Sequence, residues 1–354
     1  MELSRRPRDR FGGAPILGGR AKLAYMFGPM CAVELRRGGL HLTGTALSLD
    51  ATRKCELSFI SHAHSDHIAR HERVIATSAT LRFMTHRLGK LPAALPVPYN
   101  RPFSLGPLEV ELLPAGHILG SAQIRVTRAD GRRVVYTGDL NLEASLTAEP
   151  AQVARCDTLI VEATFGHPRY VFPPKESVLN ALDAWVRQTL EGGATPILLG
   201  YSLGKAQEVI KFLRERGFSL CAHSSICEIA EMYREFGVPL EGIRRFNGAI
   251  KEGEVLVFPP QLARSATLWK VRPRAFAFLT GWALDPARAR WHGADAAFPL
   301  SDHADFAGLM SYAKATGARE VITHHGFADD LAKALRQNGI VARAIGKPLQ
   351  LQLL

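Results

Sequence analysis

The chain has 354 residues, with 44 Lys and Arg against 33 Asp and Glu and a formal charge of +11. Its 47% hydrophobic and 22% charged content supports a sizeable core in one large or two ordinary domains, and excludes a disordered tail or a low-complexity fibre. No apolar run approaches the roughly 18 residues of a membrane span and the Arg-rich start lacks the apolar stretch of a secretory signal, so a cytoplasmic protein without membrane contact is expected, its basic excess favouring a polyanionic partner.

Residues 1–22 hold Arg5, Arg6, Arg8, Arg10, Arg20 and Lys22 among Gly and Pro with no apolar period, and read as a mobile basic arm. From Cys31 onward short β-type runs alternate with Gly and polar turns: 31–35, 40–42, 47–49, 57–60, 74–77, 110–113, 124–126, 134–136 and 159–161. A helical period appears near Ala79 to Leu88, so the first half predicts a strand-rich α/β domain. After Pro168 longer helical periods take over, with Val178, Leu179, Leu182, Trp185 and Val186 on one face and Ala206, Val209, Ile210 and Leu213 on another. Strand-like runs at 197–199, 219–221, 255–258 and 275–279 alternate with them, which predicts an inserted α/β subdomain. The chain closes with a helix over 306–316, a strand over 321–323, a helix near 329–337 and a final strand. Cys31, Cys55, Cys156, Cys221 and Cys227 are scattered, and the five residues between Cys221 and Cys227 fit no common zinc spacing, so they read as core thiols.

The densest chemical signal is His62-Ala63-His64-Ser65-Asp66-His67, directly after the apolar run 57–60. Two imidazoles two residues apart on an extended loop can chelate one ion, while the Asp-His pair faces a second position nearby. Six residues cannot close two coordination spheres, so further ligands are expected at other strand ends. His117 follows Leu112-Leu113, Asp139 follows the run 134–136 through Thr137-Gly138, and His325 follows Val321-Ile322-Thr323-His324. Each repeats one design, a strand delivering a ligand at its C-terminal end.

On these residues the chain, from about residue 31 onward, resembles the metallo-β-lactamase superfamily and specifically its β-CASP nuclease branch. The resemblance implies an α/β fold, a metallo-β-lactamase αββα sandwich with an inserted α/β β-CASP domain, divided as 23–168, 169–284 and 285–354. His62, His64, Asp66 and His67 match the HxHxDH signature, His117 the third motif and Asp139 the fourth. By that match His62, His64 and His117 would hold one zinc, Asp66, His67 and His325 a second, Asp139 would lie between them, and Asp50 would support the loop from behind. Glu162 looks like acidic motif A of the branch, His303 in Ser301-Asp302-His303-Ala304-Asp305 like motif B, and His325-Gly326 like motif C.

The phrases Tyr201-Ser202-Leu203-Gly204-Lys205-Ala206-Gln207 and Leu300-Ser301-Asp302-His303 look most like a bacterial group of DNA-ligase-associated exonucleases that are also similar to mRNA 3'-end processing factors. The implied activity is two-metal hydrolysis of phosphodiester bonds, with two Zn2+, or Mn2+, as cofactors. Asp139 or Asp66 would orient water and accept its proton, and His303, held by Glu162, would stabilise the phosphoryl oxygens or protonate the leaving oxygen. The first reading is a DNA exonuclease in repair or end processing, acting on single strands or ends, with a DNA ligase and helicase system as partners; an RNA-processing nuclease and a small-molecule metallo-hydrolase are the alternatives. Ser202 and Lys205 lie where a helix opens, and the helix N–H groups there either accept a phosphate or are capped and packed. Arg264, Lys270, Arg272 and Arg274 cluster near Trp269 and either track a nucleic-acid backbone or form a solvated face.

Overall fold

The computed structural model describes residues 32–285 and 293–346; the expected basic arm at 1–22 and Cys31 lie outside the described residues. Strands β1 (Val33–Arg36), β2 (Gly39–Leu42), β3 (Leu47–Leu49), β4 (Leu57–Phe59), β5 (Arg73–Ala76) and β6 (Ala94–Pro96) make a first sheet in that order, antiparallel up to β3 and parallel from β3 to β6. Helix α1 (Ser78–Leu88) begins at Thr77, whose side chain accepts the Thr80 N–H and satisfies an otherwise orphaned donor of the first turn. A second sheet starts with β7 (Phe103–Leu105), β8 (Leu108–Pro114), β9 (Ala122–Thr127) and β10 (Arg133–Tyr136), antiparallel neighbours, followed by β11 (Thr158–Glu162) parallel to β10.

The chain then builds a third sheet before it returns. Helices α2 (Lys175–Glu191), α3 (Lys205–Glu215), α4 (Ser224–Glu235) and the short α5 (Ala266–Trp269) alternate with β12 (Thr195–Leu199), β13 (Ser219–Ala222), β14 (Ile243–Arg245), β15 (Glu254–Phe258), β16 (Arg274–Leu279) and β17 (Ala296–Phe298). All neighbours in this sheet are parallel, in the order β14-β13-β15-β12-β16-β17. The sheet therefore reaches past the boundary expected at 284. Helix α6 (Phe306–Thr316), strand β18 (Glu320–His324), helix α7 (Ala328–Gln337) and strand β19 (Ala342–Ala344) then complete the second sheet, β18 lying beside β11. No helix among the described residues is long and apolar enough to cross a membrane.

Period-two alternation explains how the second sheet buries both faces. Leu112, Val134, Ile160 and Ile322 pack into the core it shares with Leu42, Leu47, Phe59 and Ile75 of the first sheet. Their neighbours Leu113, Val135, Leu159, Val161 and Val321 face the other way, onto Leu309, Tyr312, Leu331 and Leu335 of α6 and α7. In the third sheet Leu198, Leu220 and Val257 face Leu182, Ile210, Leu213 and Ile226, in a core that also takes in Ile60, Ile118 and Leu203. Cys221 and Cys227 lie in different cores, as free thiols. The elements the sequence leaves unread are the three-residue strands β6, β7, β14 and β17 and helices α4 and α5; such strands are too short to display alternation, and β6 is exposed along its whole length.

β8, β10, β11 and β18 run in one direction, so their C-terminal ends share an edge. Ligand sites of open α/β sheets gather at that kind of edge, and there the chain places His117, Asp139, Glu162 and His325.

Candidate metal centre

His62 Nε2 lies 3.0 Å from His64 Nδ1, which in turn lies 3.1 Å from His117 Nε2. Asp139 Oδ2 sits 3.4 Å from His62 Nε2, 3.4 Å from His67 Nε2, 3.6 Å from His117 Nε2 and 3.9 Å from His303 Nε2. One donor atom each from His62, His64, His117 and Asp139 thus falls within a 4.8 Å span.

The outer ring nitrogens decide what these inner ones can be. His64 Nε2 is 3.0 Å from the Leu203 carbonyl and His117 Nδ1 2.7 Å from the Asp302 carbonyl. Carbonyl oxygens only accept, so both outer nitrogens carry the proton and both inner nitrogens present lone pairs. Ser61 donates its hydroxyl to Asp50 Oδ2 and accepts from His62 Nδ1, which leaves His62 Nε2 in the same state. Burial lowers His62 and His117 well below the ordinary imidazole range and His64 to about 4, so all three rings are neutral near pH 7. Three neutral lone pairs converging within about a hydrogen-bond length repel one another unless a cation lies between them, and the donor set therefore fits a divalent metal.

Asp50 organises the loop from behind. Its carboxylate accepts the Ser61 N–H and hydroxyl, His67 Nδ1 at 2.8 Å and the Tyr136 hydroxyl at 2.8 Å. Ser61 and Tyr136 are partners the sequence reading missed; Ser61 adjoins His62, Tyr136 lies three residues before Asp139, and neither carries a signal of its own. Gly138 has φ +57°, and a Cβ there would come within 2.4 Å of Ser61 Cβ, so only glycine lets the turn before Asp139 pass the residue that seats Asp50. Asp50 and His325 occupy the left-handed region themselves, at φ +45° and +59°, a conformation costly for non-glycine residues and concentrated at functional sites.

Glu162 is fully buried at the end of β11, accepting the Leu140 and Thr164 N–H groups and His303 Nδ1 at 2.9 Å. Burial alone would lower His303, but Glu162 and Asp139 outweigh it and raise the imidazolium to about 10. Burial likewise acts against His67, yet Asp139 and Asp50 raise it to about 10, so a proton and a metal compete for its Nε2.

Asp66 and His325 stand apart from the tight groups. The Asp66 carboxylate is largely exposed, 3.9 Å from His67 Nε2, and the His325 ring centroid is 5.9 Å from that of His67. Lys205 departs from the sequence reading: it is 2% exposed, its ammonium held 2.9 Å from Asp302 Oδ1 and 2.9 Å from the Leu300 carbonyl, out of reach of a substrate. The α3 N-terminus is likewise closed, since the Gly204 N–H donates to Gln207 Oε1 and the first turn is buried. Ser202 Oγ pairs with Ser225 Oγ at 3.2 Å. Arg274 donates to the carbonyls of Leu268, Trp269 and Val271 and caps α5, whereas Arg264, Lys270 and Arg272 are exposed beside Trp269.

No protein-family model matches the chain. It is 38% identical, over 89% of its length, to a probable DNA ligase of Opitutus terrae, of which the match covers 31%. An RNase J-like protein of Methanocaldococcus jannaschii is 38% identical over 27% of this chain and 23% of its own, and the DNA cross-link repair protein SNM1 of Arabidopsis thaliana is 27% identical over 54% and 43%. These relatives share the lineage to which the assembled His62–His67 loop, Asp139 and the Glu162–His303 pair point. The chain belongs to the β-CASP branch of the metallo-β-lactamase superfamily. It spans less than half the length of each of these β-CASP relatives. A crystal structure of a protein of unknown function from Enterococcus faecalis V583 shares the fold at TM-score 0.56 and 14% identity, over 82% of this chain and 79% of that one.

Proposed function

We propose that this β-CASP chain is a metal-dependent nuclease that hydrolyses phosphodiester bonds, acting on DNA ends or single strands. The observation that carries the reading is the pair of buried Glu162 and half-buried His303 aimed at Asp139 beside the imidazole cluster, an arrangement that adds a protonated donor to a metal site. In this reading the first two sheets with α1, α6 and α7 are the metallo-β-lactamase sandwich and the third sheet with α2 to α4 is the β-CASP insertion. His62, His64 and His117 would hold one divalent ion, Asp66, His67 and His325 a second, and Asp139 would serve both. When bound, such a pair supplies Lewis acidity toward phosphoryl oxygens and makes water acidic enough to ionise near neutral pH. Asp139 Oδ2 then accepts a proton at the centre of the cluster, and His303 Nε2 donates one to the phosphoryl or leaving oxygen while Glu162 holds its ring.

DNA is favoured by the alignment of 89% of the chain to a protein named as a probable DNA ligase and by the relative named for DNA cross-link repair. RNA processing is the second reading, favoured by relatives named RNase J-like and RNase aCSPSF2. Hydrolysis of end-labelled single-stranded DNA and RNA of one sequence, with and without a 5' phosphate, by zinc- or manganese-loaded protein separates them. Preferential DNA digestion is expected; preferential RNA digestion moves the chain to the second reading, and cleavage of neither by protein shown to hold metal removes both.

The exposed cluster gives a second expectation. Reversing Lys270 and Arg272 together to Glu should weaken single-strand binding and flatten the plot of log K against log salt by about 0.7 for each phosphate that the protein no longer neutralises. An unchanged slope takes the Trp269 face out of the interface.

A further inference from the structure

One turn of the third-sheet unit reaches the candidate metal centre. Leu203 and Lys205 flank Gly204, whose φ of +97° and lack of Cβ let the turn close onto the residue next to His117: a Cβ there would lie 2.3 Å from Ile118 Cγ2. From this turn two contacts reach ligand imidazoles. The Leu203 carbonyl takes the proton side of His64 directly, at 3.0 Å. Lys205 reaches His117 through one intermediary. Its ammonium binds both the Leu300 carbonyl and Asp302 Oδ1, and the carbonyl of that same Asp302 takes the proton side of His117 at 2.7 Å.

Residues 300–303 belong to no strand or helix. The buried ammonium engages two acceptors in this segment at once, and so sets where the Asp302 carbonyl points. A displaced carbonyl would release the His117 Nδ1 proton, and the ring could then turn its protonated nitrogen inward and lose its lone pair to the cluster. His303, the next residue, hangs on the same segment.

We propose that Lys205 is a positioning residue of the metal centre: by pinning Asp302 it fixes which nitrogen of His117 faces the donor cluster, as the neighbouring Leu203 carbonyl does for His64, so that the unit built on the third sheet is part of the centre itself. The inference rests on the reading of His62, His64 and His117 as metal ligands. Outer partners of ligating imidazoles typically change metal affinity 10- to 100-fold when removed, and Lys205 acts at one remove from such a partner.

The test uses the full chain as Lys205→Met, which strands the Asp302 carboxylate, and as Lys205→Met/Asp302→Asn, which removes both charges and keeps the packing. Zinc affinity is read by competition with a chromogenic chelator, and the tautomer of His117 by 15N imidazole shifts in metal-free protein. Zinc affinity about tenfold weaker in the double variant, with His117 changed from a single Nδ1-protonated form to a mixture and His62 unaltered, is the expected result. Wild-type affinity, or weakened affinity with the His117 tautomer intact, overturns the proposal, the latter because a general loss of stability would then explain it. Should wild-type protein take up no zinc, the metal reading itself falls, and the tautomer comparison alone decides for or against Lys205.

Discussion

Asp139→Asn should lower nuclease turnover by about 1,000-fold and reduce bound metal below the wild-type content. One oxygen of this carboxylate stands 3.4 to 3.9 Å from four imidazole nitrogens, so the amide replaces the negative charge at the meeting point of the site with a neutral group of which half is a donor. Losses of this order accompany removal of a single preorganised electrostatic group from an active site. The backbone is spared, because Gly138 still makes the turn. Burial pushes Asp139 up to about 7 against the pull of His67 and His303. In metal-free protein this carboxylate ionises as pH rises through that region, and metal uptake, which needs the ionised form, is expected to strengthen with it. Metal content by elemental analysis and hydrolysis of end-labelled substrate are the two readouts; an Asn variant with full activity would remove Asp139 from the mechanism.

Glu162→Gln is expected to act differently, leaving metal content unchanged while lowering kcat by about 100-fold at pH 8, within the range usual for general acid catalysis. The sign follows from His303. Burial pulls its pKa down, and the Glu162 and Asp139 charges more than compensate. A proton donor is lost as pH rises through its pKa, so wild-type activity should persist into the alkaline range. Without the Glu162 charge the balance tips towards burial, His303 deprotonates at lower pH, and the alkaline limb of the profile should move down. A pH profile that keeps its wild-type shape would mean that His303 does not deliver the proton.

The donor cluster was legible in the sequence because its signals are local. Four candidate ligands stand within residues 62–67, and His117 and Asp139 each sit just past an apolar run that does become a strand of the second sheet. What holds these residues was not legible. The Leu203 carbonyl lies 139 positions from His64, and the Asp302 carbonyl 185 from His117; backbone acceptors carry no residue signature, and only the packing of the third sheet against the rest brings them near. Lys205 shows the converse error. A lysine at a helix start after a Gly-containing turn suggests phosphate contact, and nothing in its neighbours reveals that Asp302 lies 2.9 Å from its ammonium. Helices α1, α2, α3, α6 and α7 were readable from their 3.6-residue period and α4 was not, whereas β6, β7, β14 and β17 are edge strands placed by their neighbours and not by their own composition.

The return of the chain to the second sheet after the third has formed sets an order of events during synthesis. β11 gains its second parallel neighbour β18 only after about 160 further residues have been made, and His303 and His325 leave the ribosome together with that returning segment. A growing or prematurely terminated chain carries the imidazole loop and Asp139 but lacks the residue that would donate the proton. Translation thus delays the Glu162–His303 pair until the chain past residue 303 has emerged, and fragments released earlier would lack the proton donor of the proposed reaction however well they folded.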